Sequence, residues 1–170
     1  MCSSDLAMTV GALKPGSESA VTPVNAERIA RDRQVRLHHE CATLKRDFVN
    51  LIRVEAVVDE VRHFATGTVF GNRHGRLVEI DSYILDAIPE APLLVTFHDD
   101  QPGVVGKLGT LLGQNGINIT RMQLGVSGKS ETPAPDEPAI ALLNLDRPLD
   151  EAQLDKLRAL APIRRAAQMI

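Results

Sequence analysis

Residues 98–119 read HDDQPGVVGKLGTLLGQNGINI, and the reading of this run decides the fold. A strand-like alternation at 93–98 leads into it, and Pro102-Gly103 makes a turn. Val104, Val105, Leu108, Leu111 and Leu112 then form one apolar stripe at helical spacing, which predicts a helix over 104–115. Asn115-Gly116 ends that helix, and a strand follows over 117–126. Its inward phase switches between Ile119 and Met122, which predicts a β-bulge. Polar clusters stand at both ends of the run: His98, Asp99 and Asp100 before the helix, Asn118 after it.

Downstream, residues 127–138 form a Pro-rich loop and 139–145 another strand. Asp150 is placed to cap a helix carrying Leu154, Leu157 and Leu160, which Pro162 terminates, and 163–170 is the last strand. The order is βαββαβ, the ferredoxin-like arrangement with two helices on one face of an antiparallel sheet. That arrangement leaves the other sheet face and the sheet edges open to a partner.

Upstream, Pro89-Glu-Ala-Pro92 marks a domain boundary. Three strand-like runs precede it, at 48–58, 61–70 and 76–88, with a Gly- and Asn-rich turn over 71–75. In the last run Val78, Ile80, Ser82 and Ile84 share one side. Together they predict a small antiparallel meander. Asn25 is placed to cap a helix over 26–34 with Ile29 and Ala30 inward. Residues 38–45 are a polar connection, and 1–23, small, polar and aperiodic, read as a flexible tail. The expected class is α+β, a ferredoxin-like domain at 91–170 preceded at 24–90 by the meander and its single helix.

The composition narrows the function. A hydrophobic share of 44% allows a core, but 3% aromatic residues and no Trp mean that Leu, Val, Ile and Ala must build it. A net charge of −3 with so few aromatics leaves neither a basic footprint nor stacking platforms, so nucleic acid is not an expected partner. No apolar run has the roughly 18 residues of a membrane span, and the first residues lack the pattern of a secretory signal. Two cysteines, Cys2 and Cys41, do not make a disulfide framework, and a reducing cytoplasm is the expected compartment.

The helix at 104–115 carries Gly106, Gly109 and Gly113 on the side opposite its stripe. Each costs roughly 0.5–1 kcal/mol relative to Ala. Either a partner backbone or ligand comes close there, or a good core tolerates a weak helix. Gly103 permits an unusual backbone angle, and the amides at the helix start favour a carboxylate. Asp100 can accept from an ammonium or hydroxyl, and Asn118 offers donors and an acceptor. These types together describe an amino-acid pocket. Equally, Asp99 and Asp100 can simply shape a turn while Asn118 bonds its own strand end. A different class of function would use His38, His39, Glu40 and Cys41 as zinc ligands or Cys41 as a nucleophile. No second ligand pair accompanies them, and adjacent extended residues point opposite ways.

Residues 93–170 resemble an ACT domain, a small-molecule regulatory module of amino-acid metabolism. The segments VNAERIA (24–30), NLIRVEAV (50–57), GTVFGNRHGRLVEIDSYILDA (67–87) and DQPGVVGKLGTLLGQNGINITRMQLG (100–125) carry a wider resemblance. They resemble the C-terminal regulatory part of the long-form D-3-phosphoglycerate dehydrogenase family, over nearly nine-tenths of the chain. The resemblance implies that the meander belongs to a partial intervening, allosteric substrate-binding domain, and that the ACT domain binds L-serine as feedback effector. It places His98 and Asp100 on the effector loop, with Pro102, Gly103, Val104 and Val105 lining the same pocket through their backbone. Asn118 falls on the position supplied by a neighbouring subunit, so a homo-oligomer through the ACT domains is implied. Many relatives have Asn where Asp100 stands, which leaves serine open against another effector such as glycine or a branched-chain amino acid. Arg73, His74 and Arg76 are either an anion contact of the intervening domain or a solvated turn.

The parent family uses NAD, but no strand–GxGxxG–helix unit is present. The chain is therefore expected to hold no cofactor and to be no enzyme on its own. Residues 1–10 have no counterpart in the resemblance, and the chain reads as a truncated frame or gene fragment.

Overall fold

In a computed structural model of the 170-residue chain, residues 3–14, 17, 20–35, 50–58, 60–71, 74–127 and 138–170 are described. They belong to two compact units, Met1–Asp47 and Phe48–Ile170.

The first unit is a pair of helices, α1 (Ser3–Leu13) and α2 (Ala26–Asp32). Residues 3–13, expected as part of an aperiodic tail, thus form a full helix. Leu13, Val21, Ala26, Ile29 and Ala30 make its small core, which supplies the tertiary packing that a short helix needs. The orphan carbonyl of Leu13 at the end of α1 accepts from Ser17 Oγ at 2.8 Å and Arg33 Nη1 at 3.1 Å. Asn25 does stand at the N-cap of α2, but its side chain does not cap. Its Oδ1 instead accepts from the Thr22 N–H at 2.7 Å, and its Nδ2 donates to the Ala20 carbonyl at 2.9 Å.

The second unit holds two four-stranded antiparallel sheets. The first runs β1 (Ile52–Val58), β2 (Val61–Phe70), β3 (His74–Ile80) and β4 (Tyr83–Ala87) in simple order. The run expected as one strand over 76–88 is therefore two. Asp81 adopts φ +50°, and Ile80 pairs with Tyr83 across the resulting turn. A short polar side chain tolerates that left-handed angle. The turn also separates Ile80, which packs inward, from Ile84, which is 68% exposed.

The second sheet is formed by β5 (Leu93–Asp99), β6 (Ile119–Val126), β7 (Pro138–Leu145) and β8 (Ile163–Met169), in the order β6-β7-β5-β8. With α3 (Val104–Gln114) and α4 (Glu151–Arg158) this is the expected ferredoxin-like βαββαβ fold. Register shifts between Ile119 and Arg121, which is the bulge that the phase change at Met122 demanded. Asp150 caps α4, accepting from Gln153 N–H at 2.8 Å while Gln153 Oε1 accepts from Asp150 N–H at 2.9 Å. This reciprocal pair is a capping box.

The helices bury Leu108, Leu112, Leu154 and Leu157 against Leu94, Ala141 and Leu143 of the sheet. The opposite face, expected to be open, is covered in part by the first sheet. Tyr83, Leu85 and Ala87 of β4 pack with Leu93, Ile140 and Leu142, and Tyr83 sets its ring edge-on to Phe97 at 5.8 Å. Gly125 on β6 makes the crossing possible. A Cβ there would lie 2.9 Å from Ile140 Cγ2 and 3.0 Å from the Ile84 carbonyl. Asn144 clasps the junction, its Nδ2 donating to the carbonyls of Glu90 at 2.6 Å and Ile88 at 3.2 Å. The meander and the ferredoxin-like sheet thus share a core across the Pro89–Pro92 connection.

Candidate functional site

Strand alternation sets the first part of the site. Leu94, Thr96 and His98 point to the helix-covered face of β5, while Leu93, Val95 and Phe97 point to the face shared with β4. His98 is therefore buried, and its Nδ1 is enclosed with no hydrogen-bond partner. Burial pushes its imidazole below the ordinary 6.5, and Asp100, the Thr96 backbone and Asp99 pull in the other direction.

The three polar residues that the sequence grouped together part company here. Asp99 turns to β8 and pairs with Arg164, which the sequence reading missed. Asp100, one residue further on, is exposed. Pro102 and Gly103 are exposed, and Val104 is buried. Val105 is 40% exposed and so leaves the apolar stripe in which it was expected. Gly103 stands at the N-cap of α3 with φ +91°, an angle strained for any residue with a Cβ, and no side chain caps the helix. Of the backbone donors at this helix start, the Val104 N–H reaches the Gln101 carbonyl at 3.4 Å.

Asn118 is also exposed, and its backbone is clamped on both sides by Asp146. Its N–H donates to Asp146 Oδ1 at 3.0 Å, and its carbonyl accepts from the Asp146 N–H at 3.0 Å. The sheet register shows how far it lies from His98. His98 is level with Ala139 at the start of β7, whereas Ile119 is level with Leu145 at its end. Asn118 and His98 thus occupy opposite ends of the sheet, separated by the 11 residues of α3, or about 16 Å of helix.

The glycines of α3 lie on its outer side. A Cβ at Gly106, Gly109 or Gly113 would meet nothing within 4 Å. In the meander, Arg76 is engaged by Asp86, Nε to Oδ1 at 3.1 Å, and donates to the Gly75 carbonyl. His74 begins β3 and is exposed, and Arg73 lies outside the described residues. His38, His39, Glu40 and Cys41 also lie outside the described residues. Among the described residues no group of three His, Cys, Asp or Glu is placed to hold a metal, and no helix is long and apolar enough to cross a membrane.

Comparison with known proteins agrees with this architecture. Residues 4–81 match the D-3-phosphoglycerate dehydrogenase intervening domain, and residues 93–162 match the ACT domain. The first match begins within α1, in the stretch that the sequence reading left without a counterpart. D-3-phosphoglycerate dehydrogenase of Synechocystis sp. is 32% identical over 92% of the chain and 27% of its own length. The Bacillus subtilis enzyme of that name is 32% identical over 89% of the chain and 28% of its own length. That of Methanocaldococcus jannaschii is 31% identical over 92% and 28%. The chain therefore spans little more than a quarter of the length of these relatives. Fold and matches define its class, an ACT regulatory module joined to an intervening domain. The chain belongs to the D-3-phosphoglycerate dehydrogenase family and corresponds to its C-terminal regulatory region.

Proposed function

We propose that the chain senses a small amino acid, L-serine, between two ACT domains, as the regulatory part of a D-3-phosphoglycerate dehydrogenase. One observation carries this reading: His98 and Asp100 stand at one end of α3 and Asn118 at the other. About 16 Å of helix is too long a span for one small molecule to bridge. A second copy, antiparallel to the first, would bring its Asn118 to the His98 end and create two equal pockets related by a two-fold axis.

Each group then has a chemical role. The exposed carboxylate of Asp100 accepts from the effector ammonium, and the α3 start beside Gly103 receives the carboxylate. Asn118 of the second copy supplies an amide, and His98 supplies a ring nitrogen from the pocket floor. The bare outer side of α3 at Gly106, Gly109 and Gly113 admits a close neighbour without a clash. In the longer enzyme, serine acts by favouring the arrangement in which both halves of the pocket meet, since an effector shifts an equilibrium only through differential binding.

Calorimetric titration of the dimeric chain with L-serine tests the reading, with the other nineteen amino acids as competitors. Saturable binding in the millimolar range or tighter is expected, and Asn118→Ala should weaken it at least several-fold. Heat-free titration of a sample proved dimeric would refute it. Stronger binding of another amino acid would keep the pocket and change the effector.

A further inference from the structure

The strand that carries His98 holds a second polar side chain on the same covered face. Thr96 is 0% exposed and its Oγ1 has no hydrogen-bond partner. His98 is 3% exposed, with Nδ1 in the same condition. Among the described residues these are the two enclosed side-chain polar atoms left without a partner. Buried polar groups are costly to leave unpaired, so two of them, two residues apart on one strand face, call for a common cause. Side chains at that spacing stand roughly 6–7 Å apart, too far for a direct bond between strand positions but suited to one intervening water.

The neighbouring side chains are mostly small. Thr96 is level with Ala141 on β7 and Ala166 on β8, and His98 is level with Ala139 and Ile163. Three of these four flanking side chains are single methyl groups, where longer aliphatic chains would close over the hydroxyl. A buried water is held by two to four polar partners, and Thr96 and His98 supply two.

We propose that Thr96 is a positioning residue for the amino-acid site: its hydroxyl holds His98 through one enclosed water at Nδ1, so that the ring presents Nε2–H to the effector. The inference rests on the reading of His98 as an effector contact. A neutral imidazole has one donor and one acceptor nitrogen, and the bond at one fixes the role of the other. The carboxylates of Asp100 and Asp99, with the Thr96 backbone, favour a proton on the ring. Nδ1 is the enclosed nitrogen left without a partner, and in the proposed tautomer it is the acceptor that the water satisfies.

Nitrogen-15 NMR of the full chain above neutral pH, without serine, reads the tautomer directly, with His98 assigned by the loss of its signals in His98→Gln. The Nε2–H form is expected. Thr96→Val keeps the shape and removes the hydroxyl. It should shift the His98 ring nitrogens and weaken L-serine binding roughly three- to tenfold, the size of one hydrogen bond. Thr96→Ser should restore both. An Nδ1–H tautomer in the unaltered chain overturns the proposal even if Thr96→Val fails to fold, and so do unchanged His98 shifts in Thr96→Val. Failure of the unaltered chain to bind serine counts against the amino-acid reading alone, because the tautomer is measured without the ligand.

Discussion

The two sheets of Phe48–Ile170 are built from strands of similar length, yet they are covered very differently. In β7 every residue after Pro138 is buried, because Ala141, Leu143 and Leu145 face the helices while Ile140 and Leu142 face β4. In β1 residues 52–57 are exposed throughout, and Ile52, Val54 and Val57 are among the large apolar side chains left in solvent. The ferredoxin-like sheet is a middle layer with cover on both faces. The meander is an outer layer whose cover comes mostly at β4. His98 belongs to the doubly covered sheet, so the effector site proposed for it would stand on a floor packed from both sides.

The largest expected effect comes from breaking this asymmetry in the core. Leu108 is fully buried between α3 and the sheet. Leu108→Ala should cost about 2–5 kcal/mol, through lost transfer energy and the cavity left behind. Val57→Ala on β1, where the side chain is 67% exposed, should stay within about 0.5 kcal/mol. Urea denaturation of both variants compares them. Equal losses would mean that β1 is covered in solution as fully as α3.

A smaller effect should appear where the layers touch. Gly125→Ala places a methyl 2.9 Å from Ile140 Cγ2 and 3.0 Å from the Ile84 carbonyl. One contact is a branched side chain fixed in the core and the other is backbone, so neither yields easily. A loss of about 1–3 kcal/mol is expected, as for other overpacked sites. Amide exchange should quicken in β4 and leave α4 protected. Uniform loss of protection across both sheets would show that they unfold as one body and that the contact is not a local seam.

Coverage also explains what could be read from the residues. The run over 98–119 gave its strand, turn, helix and bulge because the apolar phase there is enforced by burial. The Asp150 cap was legible because the partners of a capping box are three residues apart. Asp81-Ser82 was passed over as a turn because the apolar alternation continues past it, and only the left-handed angle at Asp81 breaks the strand. α1 was missed because a small-residue helix has little amphipathic signal, and its core partners lie on α2. In the site, Asp100 and Gly103 stood out as types. Arg164 did not, since it reaches Asp99 from 65 positions away in the chain. Thr96 was available in the alternation Leu94–Thr96–His98, had the phase of that strand been assigned.

The finest distinction between the layers is a proton. His98, in the covered layer, has its pKa lowered by burial, although Asp100 and Asp99 oppose the shift and Arg164 neutralises Asp99. In the unfolded chain the same group titrates near 6.5. Between the lowered folded value and 6.5 the unfolded state binds more protons, so stability rises with pH across that window and levels off above it. As pH falls below 6.5 the protonated ring must either leave its buried position or weaken the fold around it. Subtracting the pH profile of His98→Gln, which cannot titrate, isolates this contribution from the surface carboxylates. The difference should climb with pH up to about 6.5 and then stay flat. A difference that is flat throughout, or that falls as pH rises, would mean that His98 is solvated in the folded chain, and the enclosed Nδ1 could then not serve as the fixed floor of an effector pocket.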